Sequence, residues 1–230
     1  NTPLVNDYNE IHKNQPFFYI TNYLLNENVP SAEEQFNRYD AQFIANGNAK
    51  DERFYLWQAM IYKSEFDFNN AIATYDTLLS ENPNSALAYF NKANTMLDLL
   101  ELLLKLETGN GEFINAGDEY QAIELKDVET INIRLKEIQK LYEKAIKIEP
   151  EFYLAWFNMA IVLGEQRDFN ASLEAYSKAI KINEDFKEAY LNRGVNYLFL
   201  ENPKKACSDF SKAGELGLSE AYKIIKKYCK

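Results

Sequence analysis

Aromatic side chains recur in this 230-residue chain with a period of 34 residues. Tyr89 follows Tyr55 by 34 positions, and Tyr190 follows Trp156 by the same interval. In three of four cases a second aromatic residue lies 20 positions after the first, in the pairs Tyr55 and Tyr75, Trp156 and Tyr176, and Tyr190 and Phe210. A fixed period of this length is typical of stacked supersecondary units rather than of a single globular core. The chain is therefore predicted to be a repeat protein.

Each unit has the hydrophobic pattern of two helices joined by a short turn. In residues 52–85, large and small apolar positions recur at helical spacing in two runs: Tyr55, Ala59 and Tyr62, then Ala71, Tyr75 and Leu78. Residues 66–69 mark the turn, and Pro83 ends the second helix because proline cannot continue it. Large rings opposite Ala or Gly let neighbouring helices approach closely. We therefore predict an all-α fold of antiparallel helix pairs.

This pattern resembles the tetratricopeptide repeat family. Its large–small–large first helix is found at Trp156, Ala160 and Leu163 and at Tyr190, Gly194 and Tyr197, and its small–large–small second helix at Ala71, Tyr75 and Leu78 and at Ala206, Phe210 and Ala213. The resemblance implies a right-handed α-solenoid over residues 52–220, with a concave face built mainly from the first helices. It also implies protein–protein interaction rather than catalysis. The four predicted repeats are 52–85, 86–152, 153–186 and 187–220.

The second repeat carries an insertion of 33 residues, because Tyr142 follows Tyr89 by 53 positions where 20 are expected. Apolar spacing predicts that its first helix continues to about Leu106 and that its second helix begins early, with Asp127 as N-cap. The result is an extended hairpin near 97–137. We consider two interpretations of it: a contact site for a partner, or an ornament of this lineage. As a contact site, it would make the chain a structural or assembly module of a larger protein.

Two capping segments flank the predicted repeats. Residues 1–51 form the N-terminal segment and capping half-repeat, in which Ser31 and Glu34 make a capping box and open a helix. Residues 16–25 are compatible with either a short helix or a strand. At the other end, residues 219–230 form a C-terminal capping helix with lysines in its last turn. Solenoids need such caps to cover their terminal apolar faces.

Charge and hydropathy exclude two classes of function. The formal net charge is −10 and no basic stripe is visible, so a nucleic-acid role is excluded. The apolar run 97–106 is too short and too charged for a transmembrane segment. The chain begins at Asn1 rather than Met, which indicates a processed form or a fragment. It is then either cytoplasmic or, if a signal peptide was removed upstream, periplasmic or exported; partner identity and oligomeric state are left open.

Residues suited to chemistry are few. His12 is the only histidine and lies in the irregular N-terminal region, and Gly109 and Gly111 lack the strand and lysine that a phosphate cradle needs. We therefore predict no enzyme activity, no catalytic residues, no metal and no cofactor. Cys207 and Cys229 fall on predicted buried faces. Two packed thiols are the favoured interpretation, and a disulfide that holds the last helix down is the alternative.

A row of asparagines suggests a peptide site. Asn91, Asn158 and Asn192 each lie two residues after the leading aromatic, a position that faces the concave groove in the family the chain resembles. An amide both donates and accepts, so such a row can hold the main chain of an extended peptide; alternatively, each Asn bonds to a neighbouring helix. The same face would present mostly apolar residues, which suggests that a ligand, the extended hairpin or the N-terminal segment covers it: Leu56, Met60, Phe90, Asn94, Phe157, Ile161, Leu191 and Val195.

Overall fold

The computed structural model describes residues 51–107 and 128–229, and every regular element in that part of the chain is an α-helix. The fold is the predicted all-α solenoid of helix pairs. Its helices are α1 Glu52–Ser64, α2 Phe68–Glu81, α3 Ala86–Glu107, α4 Val128–Ile148, α5 Tyr153–Glu165, α6 Phe169–Ile182, α7 Lys187–Phe199, α8 Pro203–Glu215 and α9 Ser219–Tyr228. The predictions for residues 1–50, for the loop 108–127 and for an N-cap at Asp127 lie outside the described residues.

The second helix of three repeats begins at a residue of the same kind and position. Asp67, Asp168 and Asn202 each accept a hydrogen bond from a backbone N–H of the first turn, at 3.1, 3.1 and 3.2 Å. Such caps satisfy donors that have no partner within the helix. Pro203 follows its cap at the first helical position, where its missing N–H costs nothing.

Residues up to Ala88 belong to a first compact unit. Its described core joins α1, α2 and the start of α3 through Phe54, Trp57, Leu78 and Ala88. Ser85 accepts a hydrogen bond from the N–H of Ala88 at 2.9 Å and so caps the start of α3. The burial of this cluster fixes the angle between the two helices of the first repeat.

The second compact unit contains residues 89–107 and 128–229 among those described. Helices α5 and α6 form one pair, α7 and α8 the next, and α4 and α9 pack on the outer sides of these pairs. Buried polar side chains join the pairs: Asn196 donates to the Ser172 hydroxyl at 2.6 Å, and Ser172 donates to the Ala160 carbonyl at 2.6 Å. This chain of bonds locks α7 to α6 and α6 to α5, since leaving any of its buried groups unpaired would be costly.

The insertion lengthens both helices of its repeat, as predicted. Helix α3 has 22 residues and α4 has 21, whereas the helices from α5 to α8 have 13 or 14. The two long helices meet where the Tyr142 hydroxyl donates to Asn94 Oδ1 at 2.6 Å. Leu100 and Leu135 are buried in the added turns. The added sequence therefore extends the packed helices α3 and α4.

Cys207 and Cys229 form a disulfide with a Cα–Cα distance of 5.7 Å. The favoured interpretation from the sequence, two packed thiols, is wrong, and both cysteines are only half-buried. Ala221 is the single residue of α9 that is buried, while Tyr222 and Tyr228 are exposed. Because α9 buries so little apolar surface, the covalent link to α8 is a substantial part of what holds it in place.

Candidate functional site

A cleft of about 620 Å³ lies between α5 and α7 in the second unit. Three residues of the predicted groove, Ile161, Asn192 and Val195, line it. The remaining lining comes from the same two helices, the turn after α5 and the facing side of α6: Gly164, Glu165, Arg167, Phe169, Tyr176, Asn196 and Phe199. The structure thus brings together a cluster of the sequence-predicted residues on one open, largely apolar surface.

A second cleft of about 390 Å³ adjoins the first. It is built by the lengthened helices of the insertion repeat together with α5, from Leu97, Leu100, Glu101, Leu104, Ile131, Leu135, Ile161 and Glu165. Ile161 and Glu165 line both clefts and lie one helical turn apart on α5. The two concavities therefore meet at α5 and form one groove across α3, α5 and α7, which we call the α5 groove.

An exposed aromatic pair forms one wall of the larger cleft. The rings of Phe169 and Phe199 stack with centroids 4.9 Å apart and an interplanar angle of 8°. Phe199 is 64% exposed, the highest value among the large apolar side chains in the part of the chain that the structure describes. An aromatic ring held in place by stacking and open to water is a typical anchor point at protein interfaces.

Gly164 lies among the residues that line this cleft. A Cβ at this position would lie 3.6 Å from Ser172 Oγ and 3.8 Å from Asn196 Oδ1, which is ordinary contact distance. Packing therefore does not require glycine here, and the glycine lines the cleft with backbone alone beside the Phe169–Phe199 wall.

Two of the three asparagines in the row bond to side chains of neighbouring helices. Asn158 donates from Nδ2 to Asn94 Oδ1 at 2.8 Å, the same oxygen that accepts from Tyr142. Asn192 hydrogen-bonds to the hydroxyl of Tyr176. Burial raises the pKa of both tyrosines, so each hydroxyl stays protonated and available as a donor. Asn158 and Asn192 therefore bond to neighbouring helices, although each of these two amides retains further donor and acceptor capacity.

Other predicted groove residues mainly serve packing. Phe90 lies 4.7 Å from Phe152 between ring centroids, and Phe157 lies 4.6 Å from Phe186. These rings fill the space between successive helix pairs rather than lining either cleft. Leu191 is half-buried on α7, and the Asn91 carbonyl accepts a bond from Thr95 at 2.8 Å. In the first unit, Leu56 packs against the core and Met60 is exposed.

Sequence reasoning missed Gly164, Glu165, Phe169 and Phe199 as candidate groove residues. One sequence feature could have indicated Phe199: it ends the first helix of its repeat, where Tyr190, Gly194 and Tyr197 already supply the apolar face. Phe199 is therefore not needed for that apolar face and is available for contact with a partner. No comparable sequence feature indicated Glu165, because acidic residues are common throughout this chain.

Neither a metal site nor a membrane span is found in residues 51–107 and 128–229. Within those ranges, no three His, Cys, Asp or Glu side chains are grouped so that they could hold a metal ion. No helix there has the length and apolar content needed to cross a bilayer.

Comparisons with known proteins support the repeat architecture. Models of the Tetratricopeptide repeat family match residues 52–85 and residues 153–186. No curated protein matches the chain. Three similar solved structures are a thermophilic TPR protein of Thermus thermophilus, MamA from residue 41 to its end from Desulfovibrio magneticus, and PilW, a widely conserved type IV pilus biogenesis factor.

The structural similarity extends over most of each chain. The Thermus thermophilus protein is 14% identical, with a TM-score of 0.64 over 93% of this chain and 95% of that one. MamA is 14% identical, with a TM-score of 0.59 over 94% and 96%. PilW is 16% identical, with a TM-score of 0.59 over 94% and 79%. At such identities the likeness concerns the fold.

Proposed function

The chain is a tetratricopeptide-repeat protein, and from this premise we propose that it is a non-catalytic scaffold that binds an extended segment of a partner protein in the α5 groove. Repeats of this family generally serve protein–protein interaction. The observation that carries the proposal is the pair of largely apolar clefts that meet at Ile161 and Glu165. Apolar surface arranged as an open groove is a feature of interaction sites.

The groove suits an extended chain better than a compact ligand. Two clefts in series accept successive side chains of a peptide, while the asparagine amides offer groups that can pair with its main chain. Asn158 and Asn192 use part of their hydrogen-bonding capacity within the repeats and keep the rest. A single extended segment of this kind binds in the micromolar range, about −8 kcal/mol.

The test is a selection of peptides about a dozen residues long by display on the folded protein, followed by fluorescence anisotropy. Phe199→Ala removes the exposed aromatic wall, and we expect it to weaken the selected peptides about tenfold or more, as loss of an interface hot spot does. Ile133→Ala is the matched control, because Ile133 is also an exposed apolar side chain, is 52% exposed and lies outside both clefts. Selected peptides that bind both variants as tightly as the parent would refute the proposal.

The asparagine row has its own test. Replacing Asn91, Asn158 and Asn192 together should weaken peptide binding while the helical circular dichroism is retained. Because two of these side chains also bond to neighbouring helices, thermal stability is measured in parallel. Unchanged affinity in the triple variant would remove the asparagines from the site and leave the apolar clefts as its basis.

The lengthened hairpin supports a second candidate, an assembly role in a larger protein. The observation that favours it is that α3 and α4 continue about two turns past the length of the later repeat helices. Replacing residues 108–126 with a short Gly-Ser link separates the two functions. Loss of a partner or an oligomer with unchanged peptide binding would favour the assembly role, and loss of peptide binding alone would favour the groove.

A further inference from the structure

We propose that the segment bound by the α5 groove carries a large apolar anchor residue and, beside it, a lysine or arginine that pairs with Glu165. The inference rests on the proposed function and specifies the chemistry of the partner. The anchor occupies the larger cleft, and the cation lies over α5 where the two clefts meet. Glu165 is central because it lines both.

The anchor site has a floor and a wall that fit a large side chain. Gly164 lines this site without a side chain, and the stacked rings of Phe169 and Phe199 form the wall. Displacing water from Phe199, which is 64% exposed, is the main gain from filling this space.

The charge of the groove selects a cation at its centre. Glu165 is exposed, and no lysine or arginine nitrogen in the described residues lies within 4.0 Å of its carboxylate. Glu165 is thus an exposed carboxylate at the place where the two clefts meet. A cation that reaches Glu165 from the ligand therefore meets a complementary field.

The positions of the charges also fix the direction of the cation. Arg167 lines the larger cleft and is not among the residues that line the second. A ligand cation is thus repelled from the Arg167 side and drawn toward Glu165. The net charge of −10 on the whole chain acts in the same direction, since it favours approach of basic segments over acidic ones.

The experiment uses selected peptides and two protein variants. Glu165→Gln keeps the shape of the side chain and removes its charge; we expect it to weaken a peptide with the native cation about fivefold. In the same peptide, Lys→Gln or Arg→Gln should cost about as much with the parent protein and nothing further with Glu165→Gln. Glu184→Gln is the matched control, because Glu184 is exposed and outside both clefts.

Phe199→Ala tests the anchor separately. It removes the exposed ring from the wall of the larger cleft, so it should weaken peptides with a Phe or Trp anchor more than the same peptides with Val at that position. Equal losses for large and small anchors would overturn the anchor site.

The inference also fails if display enriches acidic segments, if Glu165→Gln leaves affinity within twofold, or if concentration-dependent dimerisation fills the groove with a second copy of the chain. Peptide binding that is lost in Phe199→Ala yet insensitive to Glu165 would keep the proposed function and reject this inference. The absence of any groove-dependent peptide would reject both.

Discussion

Replacing Gly194 with alanine is expected to destabilise the protein, although alanine is the better helix former. Gly194 lies inside α7 and faces α8. A Cβ at this position would lie 2.6 Å from Cε1 and 2.8 Å from Cδ1 of Phe210, and 3.2 Å from the Ala206 carbonyl oxygen. Optimal contact between carbon atoms is about 3.5 to 4.0 Å, so the ring of Phe210 must move by about 1 Å. Phe210 is fully buried and has little space to do so.

The magnitude follows from two opposing contributions. Added atoms in a well-packed core cost about 1–3 kcal/mol, and Gly→Ala inside a helix gains about 1 kcal/mol. The net change at Gly194 is therefore a loss of about 0–2 kcal/mol. At Gly164 an added Cβ meets only ordinary contacts, so Gly164→Ala should be stabilising by up to about 1 kcal/mol. We expect the stabilisation by Gly164→Ala to be well below about 1 kcal/mol, because Gly164 is next to the last residue of α5.

Urea unfolding followed by circular dichroism measures both variants under the same conditions. The sharper assay is a double-mutant cycle of Gly194→Ala with Phe210→Leu, which replaces the clashing ring by a smaller side chain. A steric origin predicts that Phe210→Leu costs less in the Gly194→Ala background, with a coupling energy of about 0.5–3 kcal/mol. Additive effects, or a Gly194→Ala protein as stable as Gly164→Ala, would refute the reasoning.

Three further predictions concern stability. Burial raises the pKa of Tyr142 and Tyr176, so stability is full below about pH 10, where unfolded tyrosine ionises, and falls above it by about 1.4 kcal/mol per pH unit for each group. The slope measured by pH-dependent urea unfolding should therefore be shallower in Tyr142→Phe than in the parent protein. Reduction of the disulfide, or Cys229→Ser, should increase amide hydrogen exchange in α9 while α5 and α6 stay protected. The reason is that the disulfide stabilises the folded state by about 3 kcal/mol through the lower entropy of the cross-linked unfolded chain. Unchanged exchange in α9 would contradict this. Asp209→Asn removes the anion to which Arg193 donates two hydrogen bonds, at 2.8 and 2.7 Å. Urea unfolding should show that the free energy of unfolding falls by about 3 kcal/mol, because the guanidinium is left partly buried without its anion. A change under about 0.5 kcal/mol would mean that the pair contributes little.

The fold could be predicted from the sequence because the contacts that define each repeat are local in the sequence. A large ring pairs with a small residue at fixed spacing, as with Phe210 and Gly194, and these contacts involve neighbours within one or two helices. The start of a helix likewise depends on residues nearby in the sequence, since Asp67 and Asp168 cap the helices that follow them. The lengthening of α3 and α4 followed from continued apolar spacing through the insertion.

The disulfide and the groove depend on distances that periodicity does not contain. Two cysteines on helical faces form a bridge only when their Cα atoms come within about 4.4–6.8 Å, and that depends on how α9 folds back on α8. The Phe169–Phe199 wall likewise depends on the angle between successive helix pairs. The asparagine row was found from its register, but its bonds to Asn94 and Tyr176 depend on residues of the neighbouring helices.

The insertion explains why the groove extends past α5. Added turns of α3 and α4 have apolar residues that no standard repeat helix covers, so Leu100 and Leu135 bury themselves between the two long helices. Leu97 and Leu104 remain half-buried and face the same cleft as Ile161. Lengthening one repeat by two turns thus supplies an apolar surface beside the concave side of the next repeat. Shortening α3 and α4 together should remove the second cleft and keep the larger one, because the lining of the larger cleft comes entirely from residues 161–199.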